Sequence, residues 1–299
     1  MNQPAHRCGL VALVGAPNVG KSTLLNTLLG QKVSIVSPKP QTTRILARGI
    51  LSRLGWQAVL IDTPGIMQQP ANLLEKGMRN SSLDVLKDAD VVLYIASSDI
   101  ELAKQVPQGF QPNPLRTILV LNKSDLSQGQ ERQELGKKLQ EVLGTQEVLE
   151  ISARKKSGLQ ALEETLAKHL PEGPALYGED EITDLTLRQS AAEIIREKAL
   201  LFTKDEVPHS LAVELEDYRE ESSGLHRITA TLFVERDSQK GILIGKKGSM
   251  LKKIGSAARV ELEELTQAKV FLTLWIKVAK GWKKDEIFLK RMQYFEGRQ

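Results

Sequence analysis

Gly15-Ala16-Pro17-Asn18-Val19-Gly20-Lys21-Ser22 fits the pattern G-x-x-x-x-G-K-[ST], and its flanks supply the strand and helix that this pattern needs. Residues 10–14 are a short apolar run of the fully buried strand kind. Residues 22–29 have helical periodicity and stop at Gly30. A strand that turns through glycines into a helix aims several backbone N–H groups, and the positive end of the helix dipole, at one spot. That spot suits a polyphosphate. Lys21 is expected to reach the β- and γ-phosphates and the Ser22 hydroxyl to coordinate Mg²⁺, with Thr23 completing the candidate phosphate-binding residues. A chance glycine-rich turn would not need strand, loop and helix in this order.

The 299 residues are too many for one typical domain and indicate two. With 41% hydrophobic and 26% charged residues the composition is that of a globular protein able to bury a core. Cys8 is the only cysteine, which excludes an intramolecular disulfide and a Cys-based zinc site. His6, His169, His209 and His226 are scattered without metal-ligand spacing. No apolar run approaches a membrane span, and the short apolar stretch near the start leads straight into the phosphate loop rather than a cleavage site. A cytoplasmic protein is expected, with peripheral membrane contact still open.

Strand-like runs at 10–14, 45–51, 58–61, 91–96, 118–121 and 148–151 alternate with helical segments at 22–29, 81–86, 131–143 and 159–170. This alternation predicts an α/β domain with a mainly parallel sheet covered on both faces. Ligands bind such sheets outside the carboxyl ends of the strands, and the remaining motifs fall there. Asp62-Thr63-Pro64-Gly65 places a carboxylate where it can hold Mg²⁺ and a glycine N–H where it can bond a γ-phosphate. Asn122-Lys123-Ser124-Asp125 ends another strand, and Asp125 can accept both the N1–H and the 2-amino donors of guanine. Adenine lacks that pair. Ser152-Ala153, after a further strand, is expected to turn a backbone N–H toward the guanine O6.

These motifs together resemble the five-motif set of translational GTPases of the Ras-like fold. The remaining motif is a threonine of the first switch. Gln41-Thr42-Thr43-Arg44 resembles the switch segment of the Era family of bacterial GTPases, which implies Thr43 as the Mg²⁺ ligand beside Ser22 and Asp62, with Thr42 as the alternative. Ras-type enzymes orient the attacking water with a glutamine after the switch glycine. Here that position is Ile66, so glutamine-assisted hydrolysis is excluded and slow intrinsic turnover is expected. Asn18 resembles the loop asparagine of potassium-stimulated GTPases, which implies K⁺ as a second cation. A third helix within 99–116 is expected to be short and irregular, because Pro107, Pro112 and Pro114 interrupt it.

Pro171-Glu172-Gly173-Pro174 closes the first domain, expected at 1–172, and an extended acidic linker is expected at 173–186. The second domain, 187–299, reads as helix, two strands, two helices, strand. Gly245-Lys246-Lys247-Gly248 between its paired helices is the G-x-x-G loop of a KH domain, which clamps about four nucleotides of single-stranded nucleic acid. The predicted RNA-contacting set is Lys240, Gly241, Ile244, Gly245, Lys246, Lys247, Gly248, Lys252 and Lys253. Ile242 and Leu243 are expected on the apolar side of the groove. The positive residues of the last quarter, from Lys277 to Arg291, read as a wider electrostatic footprint.

The Era resemblance then covers nearly the whole chain, including Glu206-Val207-Pro208-His209-Ser210 and Val234-Glu235-Arg236-Asp237-Ser238-Gln239-Lys240-Gly241. It implies a Ras-like GTPase followed by an α+β type II KH domain, using GTP/GDP and Mg²⁺. It also implies a monomer that binds the 3′ region of small-subunit (16S) ribosomal RNA and the 30S subunit, assists its assembly, and has a fraction at the inner face of the membrane. The alternative is an RNA-binding assembly factor whose GTPase half hydrolyses essentially nothing.

Overall fold

The computed structural model describes residues 6–39, 41–66, 69–101, 106, 110, 113–126, 129–203 and 207–294. Contacts divide the chain into two units. The first comprises the chain through Ser34, Thr43–Ala71 and Glu75–Asp184. The second comprises Ile35–Thr42, Asn72–Leu74 and the chain from Leu185 onward.

The first unit is built on a six-stranded sheet of β1 (Arg7–Val14), β2 (Ala47–Arg53), β3 (Trp56–Asp62), β4 (Val91–Ala96), β5 (Thr117–Leu121) and β6 (Glu147–Glu150). Their order is β2-β3-β1-β4-β5-β6. All neighbours are parallel except the β2–β3 hairpin. The described helices are α1 (Lys21–Leu29), α2 (Leu73–Asp88), α3 (Gly129–Leu143) and α4 (Leu159–His169). Because successive strand residues point to opposite faces, β1 feeds two cores. Val11 and Leu13 pack with Leu24, Leu25 and Leu28 of α1 and Leu162 and Leu166 of α4. Ala12 and Val14 pack with Val85 of α2 and Leu139 and Leu143 of α3. Strands buried on both faces need continuous apolar runs, which β4 (VVLYIA) and β5 (TILVL) have.

Two expectations shift. The second strand runs to Arg53 rather than Leu51, because it pairs register for register with β3 up to Arg53↔Trp56. Helix α2 begins two turns earlier than its apolar pattern suggested. Of the irregular third helix, residues 102–105, 107–109 and 111–112 lie outside the described residues; the described end is a 3₁₀ turn at Pro114–Arg116 capped by Asn113.

The extended segment after Pro171 is not free-standing. The Ile50 N–H donates to the Ile182 carbonyl at 2.8 Å, and the Thr183 hydroxyl donates to the Arg48 carbonyl at 2.7 Å. The buried Gln57 amide donates to the Tyr177 carbonyl and accepts from the Leu176 and Tyr177 N–H groups at 2.9–3.0 Å. The segment thus covers the exposed edge of β2, where unpaired backbone would otherwise template association.

In the second unit, α5 (Leu187–Phe202) starts at a capping box of Thr186 and Gln189, and a short α6 (Val207–Ser210) follows. Then come β7 (Ala212–Glu220), β8 (His226–Val234), α7 (Asp237–Ile244), α8 (Ser249–Thr266), β9 (Val270–Val278) and α9 (Glu286–Arg291). β8 is central, antiparallel to β7 and parallel to β9. One face of this sheet joins α5 and α8 in a single core containing Ile194, Ile195, Ile228, Leu232, Ile254 and Leu262.

The end of the chain behaves differently from its sequence reading. Trp282 is buried and donates its indole N–H to the Ser210 carbonyl at 3.0 Å, with Phe288 and Tyr294 packed on it. Several cations there are engaged by carboxylates: Lys277 with Glu216, Lys283 with Glu235, Lys290 with Glu286 and Arg291 with Glu214. The positive footprint therefore narrows toward the G-x-x-G loop.

Candidate functional site

The phosphate loop owes its shape to positions that reject side chains. Gly15 has φ 149°, and a Cβ on it would lie 2.1 Å from the Ile95 carbonyl oxygen. A Cβ on Gly65 would lie 2.7 Å from the Pro17 nitrogen. The turn after β3 therefore packs directly on the loop, and the Ile66 N–H donates to the Gly15 carbonyl at 3.3 Å. Thr63 and Pro64 set that turn: the Thr63 hydroxyl donates to the Leu13 carbonyl at 2.8 Å, and the Pro64 carbonyl accepts from Ser82 at 2.9 Å. Ala16 and Val19 are buried in the core beside α1, Thr23 is half-buried in its first turn, and Asn18 is exposed at φ 65°.

Lys21 is buried, and its ammonium donates to the Gly15 and Ala16 carbonyls at 3.0 and 2.9 Å. Burial lowers its pKa to about 8. The loop thus holds its cation folded back at the place where phosphate oxygens would take it. Ser22, Thr43 and Asp62 converge. Ser22 Oγ is 2.6 Å from Asp62 Oδ2 and 2.9 Å from Thr43 Oγ1, which is 3.4 Å from the same carboxylate oxygen. Asp62 is fully buried; burial raises its pKa, against the lowering effect of the Ser22 hydrogen bond. Its Oδ1 has no hydrogen-bond partner among the described residues. Two hydroxyls and a carboxylate with an unsatisfied buried oxygen form an all-oxygen donor set that fits Mg²⁺. The Thr42 hydroxyl turns away and donates to the Lys39 carbonyl at 2.7 Å. Ile66 sits in the core with Ala12 and Val14, so its side chain has no access to a water beside the phosphates.

At the base end, Asn122 links two loops. Its Nδ2 donates to the Val19 carbonyl at 2.9 Å, and its Oδ1 accepts from the Ala153 N–H at 3.0 Å. The Ala153 N–H, one of the two in Ser152-Ala153 expected near a guanine O6, is engaged here by Asn122. The exposed Asp125 carboxylate accepts from the Ser152 hydroxyl at 2.5 Å, and this hydrogen bond holds it below the usual carboxylate range. Lys123 is in the left-handed region at φ 60°, and its ammonium pairs with Asp99 at 2.8 Å.

In the second unit the G-x-x-G loop joins α7 to α8. Lys247 (φ 51°) and Gly248 (φ 79°) are left-handed and Gly245 has φ 70° with an extended ψ of 176°; Lys246 and Lys247 are exposed at the tip. A groove of about 570 Å³ runs between α8 and β9, lined by Gly248, Leu251, Lys252, Gly255, Ser256, Arg259, Leu272 and Leu274. Of the predicted residues, Gly248 and Lys252 line it. Lys240 is half-buried, and Gly241 has open space where a side chain would be. Lys253 lies over the Phe202 ring at 4.3 Å. Ile244 is half-buried and Ile242 is exposed, but Leu243 is a core residue, because its turn of α7 faces the sheet. Gly255 and Ser256 of α8 and Leu272 and Leu274 of β9 extend the groove beyond the residues expected from sequence. Counting from Gly248, the spacing 248, 252, 255, 256, 259 is a single helix face, and that signal was available.

Comparison with known proteins bears on both units. A family model described as a 50S ribosome-binding GTPase matches residues 10–123, and a KH domain model matches residues 206–283. The GTPase Era of Geobacter metallireducens is 45% identical over 298 residues, covering 98% of this chain and all of that protein. An Aquifex aeolicus Era variant solved with GDP and AlF4⁻ superposes with a TM-score of 0.88 at 38% identity, over 97% of this chain and all of that one. A solved Era in complex with MgGDPNP and nucleotides 1506–1542 of 16S ribosomal RNA superposes at 0.89, also at 38% identity, with the same coverage of 97% and 100%. The nucleotide motifs gathered at the strand ends, the KH loop between its helices and this full-length likeness have one reading: the chain is a GTPase and belongs to the Era family.

Proposed function

We propose that this GTPase is a molecular switch whose nucleotide state controls how its KH unit binds the 3′ region of small-subunit ribosomal RNA, and that it assists maturation of the 30S subunit. The observation that carries the reading is the likeness, across 97% of this chain, to an Era whose structure holds both MgGDPNP and nucleotides 1506–1542 of 16S ribosomal RNA. Ser22, Thr43 and Asp62 are the proposed Mg²⁺ ligands. The ion, when bound, neutralises charge on the β- and γ-phosphate oxygens. Lys21 would leave its loop carbonyls for those oxygens. Thr43 and the Gly65 N–H would sense the γ-phosphate, so that its departure releases the segments around 31–44 and 62–80. Asn18, exposed beside the phosphates, is the proposed K⁺ contact. We propose further that the protein is a cytoplasmic monomer with a fraction at the inner face of the membrane.

Multiple-turnover phosphate release tests the switch. Turnover should be slow alone, rise when a 3′ small-subunit RNA segment is added, and run faster in K⁺ than in Na⁺. Asn18→Ala should remove the K⁺ advantage. Absence of turnover under every condition would leave only a non-hydrolysing assembly factor, and equal rates in the two salts would remove K⁺.

The RNA surface has its own test. Lys246→Ala with Lys247→Ala should weaken binding and reduce the salt slope by about 0.7 for each single-strand phosphate that the protein no longer neutralises. An unaltered slope would move the RNA away from the G-x-x-G loop.

A further inference from the structure

The KH unit has a second surface besides the groove. In β8 and β9 alternate residues enter the core: Ile228, Ala230 and Leu232 from one, Leu272, Leu274 and Ile276 from the other. A period of two sends the residues between them to the opposite face of the sheet. There the register pairs Arg227 with Phe271, Thr229 with Thr273 and Thr231 with Trp275. Toward the Phe233 end α9 covers this face, with the Phe288 ring edge-on to Phe233 at 5.2 Å. The other end is open: Phe271 is 52% and Trp275 56% exposed. A single exposed apolar residue is ordinary, but two aromatic rings on one strand beside a ligand groove are a surface suited to contact.

β9 is the edge strand of its sheet, and its inner side chains Leu272 and Leu274 line the groove beside the G-x-x-G loop. The groove and the ring-bearing face are therefore the two sides of one strand edge. A loop of this type clamps about four nucleotides, so a longer strand leaving the groove must continue over neighbouring surface. Phe271 and Trp275 lie roughly 13 Å apart along the strand, at about 3.3 Å per residue, so each ring can take its own base. The Arg227 guanidinium stands 4.7 Å from the Phe271 ring centroid and offers a further flat surface for stacking. The carboxylates of β7 and its turn carry partners: Glu214 pairs with Arg291, Glu216 with Lys277, Asp217 with Arg219 and Glu221 with Arg227. The face is thus charge-balanced, which suits flat bases better than phosphates or a charged peptide. We propose that Phe271 and Trp275 form a base-stacking platform for single-stranded RNA that extends the groove around the β9 edge. This rests on the reading of the KH unit as an RNA-binding module, and adds to it a site on the sheet face turned away from α8.

The test is binding of the full chain, with Mg²⁺ and GDPNP present, to two labelled pieces of 3′ small-subunit RNA, one of about four nucleotides and one of roughly sixteen. Trp275→Ala should weaken the longer RNA about fivefold to 150-fold, the range for losing one base–aromatic stack, and leave the shorter within about twofold. Trp275→Phe, which keeps a ring, should recover most of the loss. The salt slope of Trp275→Ala should equal that of wild type, because no phosphate contact is removed. Intrinsic fluorescence gives a reading that does not need the alanine variant to fold. Of the three tryptophans Trp56 is half-buried, Trp282 is buried and Trp275 is exposed, so the longer RNA should quench the emission of wild type but not of Trp275→Phe. Equal weakening of both RNAs, a reduced salt slope or an absence of quenching would each overturn the platform. Unaltered RNA binding by Trp275→Ala would also overturn it, and loss of self-association in sedimentation would then assign the rings to a contact between copies of the chain. If wild type binds neither RNA, the reading of the unit as an RNA-binding module has failed instead.

Discussion

Asp125→Asn should move base preference from guanine to xanthine, lowering affinity for GTP by on the order of 10⁴ while XTP binds. The carboxylate is ionised, since the Ser152 hydroxyl at 2.5 Å holds its pKa down. Two acceptor oxygens match the two adjacent donors of guanine. Asparagine offers one acceptor and one donor, so an N–H would face an N–H and neither would be satisfied. Xanthine carries a carbonyl where guanine carries the amino group, and the amide then matches both positions. Ser152 can still donate to the amide oxygen, so the loop keeps its shape. Competition between GTP and XTP for a fluorescent guanine nucleotide measures the switch. An unchanged preference for GTP would place the base somewhere other than Asp125.

Lys21→Met should cost GTP binding roughly 30- to 5,000-fold, the equivalent of about 2–5 kcal/mol for truncating one partner of a buried charge pair. The same change should leave the fold nearly as stable as before. In the protein without phosphate the ammonium sits buried against two carbonyls of its own loop, with its pKa lowered to about 8 by that burial. A desolvated charge so placed contributes little to folding, and a methionine of similar length fills its space. Thermal unfolding and nucleotide titration together check this: the melting point should stay within a few degrees while GTP affinity collapses, and RNA binding by the KH unit should survive. Retained GTP affinity would remove Lys21 from the phosphates.

How much was legible in advance depended on the range of the interaction. The sheet order β2-β3-β1-β4-β5-β6 places the loops after β1, β3, β5 and β6 together, and these loops carry the motifs already visible as short words in the sequence. The G-x-x-G loop was legible for the same reason. Gly245 and Gly248, both at positive φ between two helices, meet a local backbone demand within the motif. Leu243 was misplaced because its apolar character fits a groove and a core equally well, and only the packing of α7 on the sheet decides. The charges from Lys277 to Arg291 read as an open footprint because their acidic partners, such as Glu214, Glu216 and Glu235, lie on other strands and turns.

By itself the sequence determined the nucleotide loop, the KH loop and the proposal of Asp125 as base reader, because each is a backbone conformation or a donor–acceptor match contained in a few consecutive residues. Tertiary structure alone decided that Ile66 is buried in the core, that Trp282 closes the end of the KH unit, and that Ile35–Thr42 is held by Arg196 and Glu197. Those outcomes depend on partners as far as 161 residues apart, and nothing in a local pattern says which distant side chain will be there to accept or donate.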